Sequence, residues 1–135
     1  KKPALDRLAA AVPAAGETAR EGPERIEKMQ RQFADAELAV AVVAAPKPSE
    51  KIPEIEQLYS AGAVCLALLN AALAAGWGAN WLTGWAAHDR AFVEKHLGLA
   101  PQERLAGLIH IGTEAAAPPE RPRPDVSALT TVMDA

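Results

Sequence analysis

The chain has one cysteine, Cys65, among its 135 residues. A single thiol excludes an intramolecular disulfide and any cysteine-rich zinc site, and it fits a reducing compartment. Positive charge is not in excess either. The formal net charge is -3, so no basic field points to nucleic acid. The most apolar stretch, Ala61 to Ala75, is rich in alanine and carries Asn70. It is shorter than the ~20 residues that a bilayer span needs. It therefore reads as a buried core helix, with no membrane partner implied. Lys1 and Lys2 lead into Pro3 and a charged amphipathic segment, not into the apolar run of a signal peptide.

Catalytic signatures are scarce too. There is no G-x-S-x-G, no P-loop, no H-E-x-x-H and no G-x-G-x-x-G following a strand. His88, His96 and His110 are scattered without ligand spacing, which leaves each as a surface or core histidine rather than a metal ligand. Glu54 and Glu56 lie two apart and cannot face each other on a helix. They suit the positive end of a helix dipole better than paired acid–base work. Cys65 reads as a buried inert thiol, and Tyr59 and Ser60 have no base placed to activate them. No internal repeat and no interdomain linker are visible, so residues 1–135 read as one domain.

What is present is helix signal interrupted by short apolar runs. Half of the residues are hydrophobic and 23% are charged, the balance of a soluble globular domain. Pro3 to Val12 reads as a short helix, with Leu5, Leu8 and Val12 on one face. Pro13 to Gly22 reads as a loop. Pro23 opens a second helix that carries Ile26, Met29 and Phe33 on its apolar side. Leu38 to Ala44 (LAVAVVA) looks like a strand buried on both faces, with a helix segment as the alternative. Pro53 opens the longest helix, and Gly76 is placed to close it. Its first turns carry Glu54 and Glu56, and from Ala61 it is apolar nearly all round. Such a helix needs neighbours on most sides, and Ala61, Gly62 and Ala63 would admit one closely. That neighbour could be its counterpart in a second subunit. Asp89 can cap a helix that ends at Leu97 and Gly98. Leu105 to Gly112 is a second strand, Glu114 to Pro124 an extended tail, and Leu129 to Met133 (LTTVM) a possible terminal strand.

Between the long helix and the next lies Gly76-Trp77-Gly78-Ala79-Asn80-Trp81-Leu82-Thr83-Gly84-Trp85, which holds all three tryptophans. Two readings stand. It is a helix cap followed by core tryptophans, or it is a ledge for a flat ligand, with backbone groups freed by an irregular turn to bind a heterocycle.

This stretch, with Leu97-Gly98-Leu99 and Glu103 to Thr113 (ERLAGLIHIGT) after it, resembles the C-terminal part of FMN-dependent nitroreductases. The likeness is to a small subgroup with a G-[WFL]-G-x-x-W-x-[ST]-G core, and it runs from about Pro53 to the C-terminus. It implies an α+β fold, a central mixed or antiparallel sheet flanked by helices, with a long central helix at a homodimer interface. It implies FMN contact at Trp81, Leu82 and Thr83, with Gly84 completing the match. Ala71 to Gly76 resembles the segment that meets the nicotinamide cofactor. Pro119 to Val126 resembles an arm that crosses to the partner subunit, which would make LTTVM a strand added to another chain's sheet. The implied activity is cytoplasmic and ping-pong. NADH or NADPH passes hydride to flavin N5, and the flavin reduces a nitroaromatic, a quinone or a similar small-molecule electron acceptor, with no catalytic side chain required.

Two departures accompany the likeness. Leu82 stands where some relatives have an arginine that helps neutralise the FMN phosphate, a role for which Arg121 and Arg123 are candidates. No Arg-Arg-Ser-type phosphate-binding segment occurs, so the chain looks like the C-terminal two-thirds of a domain whose N-terminal part is missing. The alternative function is a flavin-free module of the same fold that dimerises through the long helix.

Overall fold

The structure, a computed structural model, describes residues 3–133. Its elements are α1 (Pro3–Thr18), α2 (Pro23–Ala34), β1 (Leu38–Ala44), α3 (Glu54–Ala74), β2 (Gly78–Trp81), a 3-10 turn (Trp85–Ala87), α4 (Arg90–Leu97), β3 (Arg104–Gly112) and a single helical turn α5 (Val126–Leu129).

The three strands form an antiparallel sheet in the order β1-β3-β2. β3 is central. It pairs along β1 from Leu38↔Ile111 to Ala44↔Arg104, and with β2 from Gly78↔Gly112 to Trp81↔Ile109. The register slips between Val42 and Val43, which face Gly107 and Leu105. Ala106 is therefore the extra residue of a β-bulge. The bulge puts Leu105 and Leu108 on one side of the sheet, although they are three apart.

That side carries the core. Leu5, Leu8, Val12, Met29, Phe33, Phe92, Val93, Leu105 and Leu108 form one buried cluster under α1, α2 and α4. Phe33 stacks on Phe92 with ring centroids 6.2 Å apart, and Trp85 meets Phe92 edge-on at 6.4 Å. α4 is held at both ends as its sequence demands. The Asp89 carboxylate accepts from the Phe92 N–H at 2.7 Å, and Gly98 closes the helix at φ 72.

Four expectations need correction. The first helix does not stop at Pro13 but runs to Thr18. Proline removes one helical hydrogen bond, yet the apolar stripe continues to Gly16, which is buried against Ile26. A Cβ at Gly16 would lie 2.4 Å from Ile26 Cγ1, so α1 and α2 close on each other at this point. β1 is not buried on both faces. It lies at the sheet edge, and Leu38 and Val43 are exposed. The third strand is Gly78–Trp81, inside the tryptophan stretch, and not LTTVM. Leu129 ends one helical turn, and Val132 and Met133 are exposed without strand pairing.

The fourth correction concerns α3. It packs on the other side of the sheet, but only Cys65 and Ala72 are fully buried. Tyr59 is 69% exposed, and Ile55, Val64, Leu66 and Leu73 are half exposed. Within this one chain it does not have neighbours on most sides. Among the described residues, its far face stays largely uncovered. The whole helix, with 21 residues, also has the length and hydropathy to cross a membrane, a test that the run from Ala61 to Ala75 does not meet.

Candidate functional site

Gly76 ends α3 as a left-handed residue at φ 82, and the Trp77 N–H closes back on the Ala72 carbonyl at 3.0 Å. The chain then reverses into β2. The three tryptophans have separate fates. Trp77 is 53% exposed beside the end of α3. Trp81 is 36% exposed. Trp85 packs into the core edge, and its indole N–H donates to the Arg25 carbonyl at 3.3 Å. The turn is thus neither wholly core nor wholly free surface.

Trp81, Leu82 and Thr83 come together at the end of β2. The Trp81 indole and the sulfur of Cys65 both lie close to Gly107 of β3. A Cβ at Gly107 would stand 2.3 Å from Trp81 Nε1 and 3.0 Å from Cys65 Sγ. Glycine is the residue that lets the ring settle there. Burial pushes the Cys65 thiol up from its ordinary range, so it stays protonated and unreactive. Trp81 Nε1–H donates to Thr83 Oγ1 at 3.1 Å. Thr83 therefore keeps its hydroxyl proton for another acceptor.

The backbone of Leu82 is engaged on both sides. Its N–H donates to the Leu108 carbonyl at 2.9 Å, and its carbonyl accepts from Gln32 Nε2 at 2.9 Å. The turn presents a half-exposed indole, the 40% exposed Leu82 side chain and one hydroxyl donor. The bonded Leu82 N–H is therefore not left over for a heterocycle. Gly84 follows at φ 72, where a Cβ would meet Met29 Sδ at 2.6 Å, so α2 lies directly against the turn.

His110 joins the site through strand pairing. It faces Asn80 across the ladder, and its Nε2 lies 3.3 Å from Gln32 Nε2. Burial lowers its pKa from the usual value of 6.5. The sequence alone leaves His110 as a surface or core histidine and assigns no role to Gln32. The available signal was the alternation along β3, which puts His110 on the same side as buried Leu108.

Ala71 to Gly76 line the end of α3. Ala71 and Ala72, with Leu38, Leu68, Trp77 and Ile111, bound an apolar crevice of about 620 Å³. Arg123 pairs with Glu120 at 3.1 Å on the exposed tail. Among the described residues no cluster of three or more metal-ligating side chains occurs.

A model of the nitroreductase family matches residues 1–113. The chain belongs to that family. Two relatives carry the name "Putative NAD(P)H nitroreductase". YdjA of Escherichia coli is 33% identical over 88 residues, covering 65% of this chain and 48% of the relative. Its namesake from Haemophilus influenzae is 33% identical over 93 residues, covering 68% and 50%. The chain thus spans about half the length of the curated relatives it matches. Among solved structures, a nitroreductase-like family protein from Bacillus cereus superposes with a TM-score of 0.76 at 20% identity, covering 97% of this chain and 68% of that one. The nitroreductase fold is therefore α+β here, with an antiparallel sheet between α3 and the other helices.

Proposed function

We propose that this protein works as an FMN-dependent NAD(P)H oxidoreductase of the nitroreductase family, as a cytoplasmic homodimer. The observation that carries the reading is the Trp81–Thr83 turn. In a family member it stands half-exposed at the end of β2, with the Trp81 Nε1–H bonded to Thr83 Oγ1 and the Thr83 hydroxyl proton left to donate. Bound FMN would supply the two-electron chemistry between NADH or NADPH and a small-molecule acceptor such as a nitroaromatic or a quinone.

The chain's own part is to hold and orient. Trp81 and Leu82 offer an apolar surface to a flat ring, and the Thr83 hydroxyl offers a hydrogen bond to a ring heteroatom. The bonds within the turn fix these groups before any ligand arrives, which lowers the ordering cost of binding. A second copy of the chain would cover Ile55, Tyr59, Leu66 and Leu73 of α3, an apolar face of the kind that monomers rarely expose.

The first test is the visible spectrum of the purified protein, with mass spectrometry of any released cofactor. A flavin band and released FMN support the reading. Protein that is colourless and cannot be reconstituted with FMN overturns it. The flavin-free module is the second reading, and one observation favours it: both backbone polar groups of Leu82 are already bonded within the protein. Replacing Trp81–Thr83 with bulky charged residues separates the two. Flavin retention falls in the variant under the first reading; under the second, the unsubstituted protein retains no flavin for the variant to lose.

A further inference from the structure

α2 touches the segment Trp81–Gly84 at two points, one helical turn apart. Met29 fills the space in front of Gly84, and Gln32 reaches the carbonyl of Leu82. Positions three apart share a helix face, so a single rigid surface seats the turn. The chemistry of the second contact is constrained further. A carbonyl oxygen only accepts, so Gln32 must present its NH2 group to Leu82. The same nitrogen stands 3.3 Å from His110 Nε2. An amide nitrogen does not accept, so His110 Nε2 must be the bare, accepting nitrogen. The imidazole is then neutral, with its proton on Nδ1. Both hydrogens of one amide are committed, one to each partner.

We propose that Gln32 is a positioning residue for the Trp81–Thr83 turn, locked in place by the Nδ1-protonated, neutral His110. It acts through the Leu82 carbonyl and need not touch the ligand. Leu82 is thereby held from opposite sides, by Leu108 of β3 and by Gln32 of α2, and the exposed groups on either side of it take fixed directions. The assignment deepens the flavin reading and rests on it for its purpose. The clamp itself can be observed without any flavin.

Two measurements test it in the intact protein. The first is long-range nitrogen NMR of the His110 ring. The expected result is a neutral ring with Nε2 unprotonated, whereas a proton on Nε2 overturns the clamp. The second is FMN affinity, followed by flavin fluorescence, in Gln32→Met and in the exposed-face control Arg31→Gln. Methionine keeps the bulk and removes both donors. Affinity is expected to fall about fivefold to tenfold in Gln32→Met, the scale of one or two neutral hydrogen bonds, with the Trp81 indole and Thr83 amide signals shifted. Arg31→Gln should leave affinity unchanged and should show a similar thermal midpoint. Unchanged affinity and unchanged turn signals in Gln32→Met overturn the inference and leave the flavin reading standing. Wild-type protein that binds no FMN overturns both.

Discussion

On one side of the sheet, Phe33, Phe92, Met29 and Val12 are closed away under α1, α2 and α4. On the other, α3 rests on the strands through Cys65 and Ala72 and leaves Tyr59, Leu66 and Leu73 in the open. The more apolar helix is the less buried one. α2 is strongly amphipathic and finds all it needs within this chain: its polar face takes Arg31 and Glu27 as an exposed pair, and its apolar face takes the core. α3 has no polar face along most of its length, so whichever side meets the sheet, an apolar side remains. Hydropathy reports what a helix must bury, and it does not say which molecule does the burying.

The sharpest way to break this contrast is to cut into the closed side. Phe33→Ala removes a ring that is 1% exposed and stacked on Phe92. It should cost about 3–5 kcal/mol in denaturant unfolding. Gly107→Ala strikes between the sheet and α3. The new methyl would stand 2.3 Å from Trp81 Nε1, and the expected loss is about 1–3 kcal/mol, with a change in tryptophan emission as the indole is displaced. Asp89→Ala should cost about 1 kcal/mol, the value of one N-cap, read as a shift in midpoint without a change in denaturant slope.

A smaller effect belongs to His110. Its folded pKa lies below the unfolded value of 6.5, because burial disfavours the charged ring. The unfolded chain therefore takes up the proton first. The contribution to stability is fully present above about pH 6.5 and is lost as pH falls from there towards the folded value. Unfolding midpoints measured across that window should fall on acidification, and His110→Gln should flatten the fall. The smallest effect is expected at the open face. Tyr59→Ala should change the stability of a lone chain by less than about 0.5 kcal/mol. A larger loss that grows with protein concentration would mean that a second copy covers α3.

Much of this was legible beforehand, for local reasons. Asp89 and Gly98 mark α4 because caps act within a turn of the residue that makes them. β1 and β3 stand out as short, β-branched apolar runs between breakers. β2 does not. Gly78-Ala79-Asn80-Trp81 has no alternation of its own and is a strand because β3 offers it a ladder. LTTVM has the composition of a strand and, among the described residues, no ladder to join. At Pro13 a local rule lost to packing, since closing Gly16 on Ile26 outweighs one missing helical bond. The turn at Trp81–Thr83 was visible through its motif, but its support was not. Gln32 is 50 residues from Leu82 and 78 from His110, and only the folded sheet and α2 bring the three together.

The position of β1 has a consequence for handling this protein. Its seven residues, LAVAVVA, hold no charge and no proline, and among the described residues no strand pairs with its outer edge. An uncharged edge of this kind is an open template for strand addition, and natural sheets usually guard it with lysine, proline or a bulge. The bulge here lies on β3 rather than on the free side. Partial unfolding on warming should therefore lead to aggregation seeded at residues 38–44, and a lysine at exposed Leu38 should delay it while leaving the sheet intact.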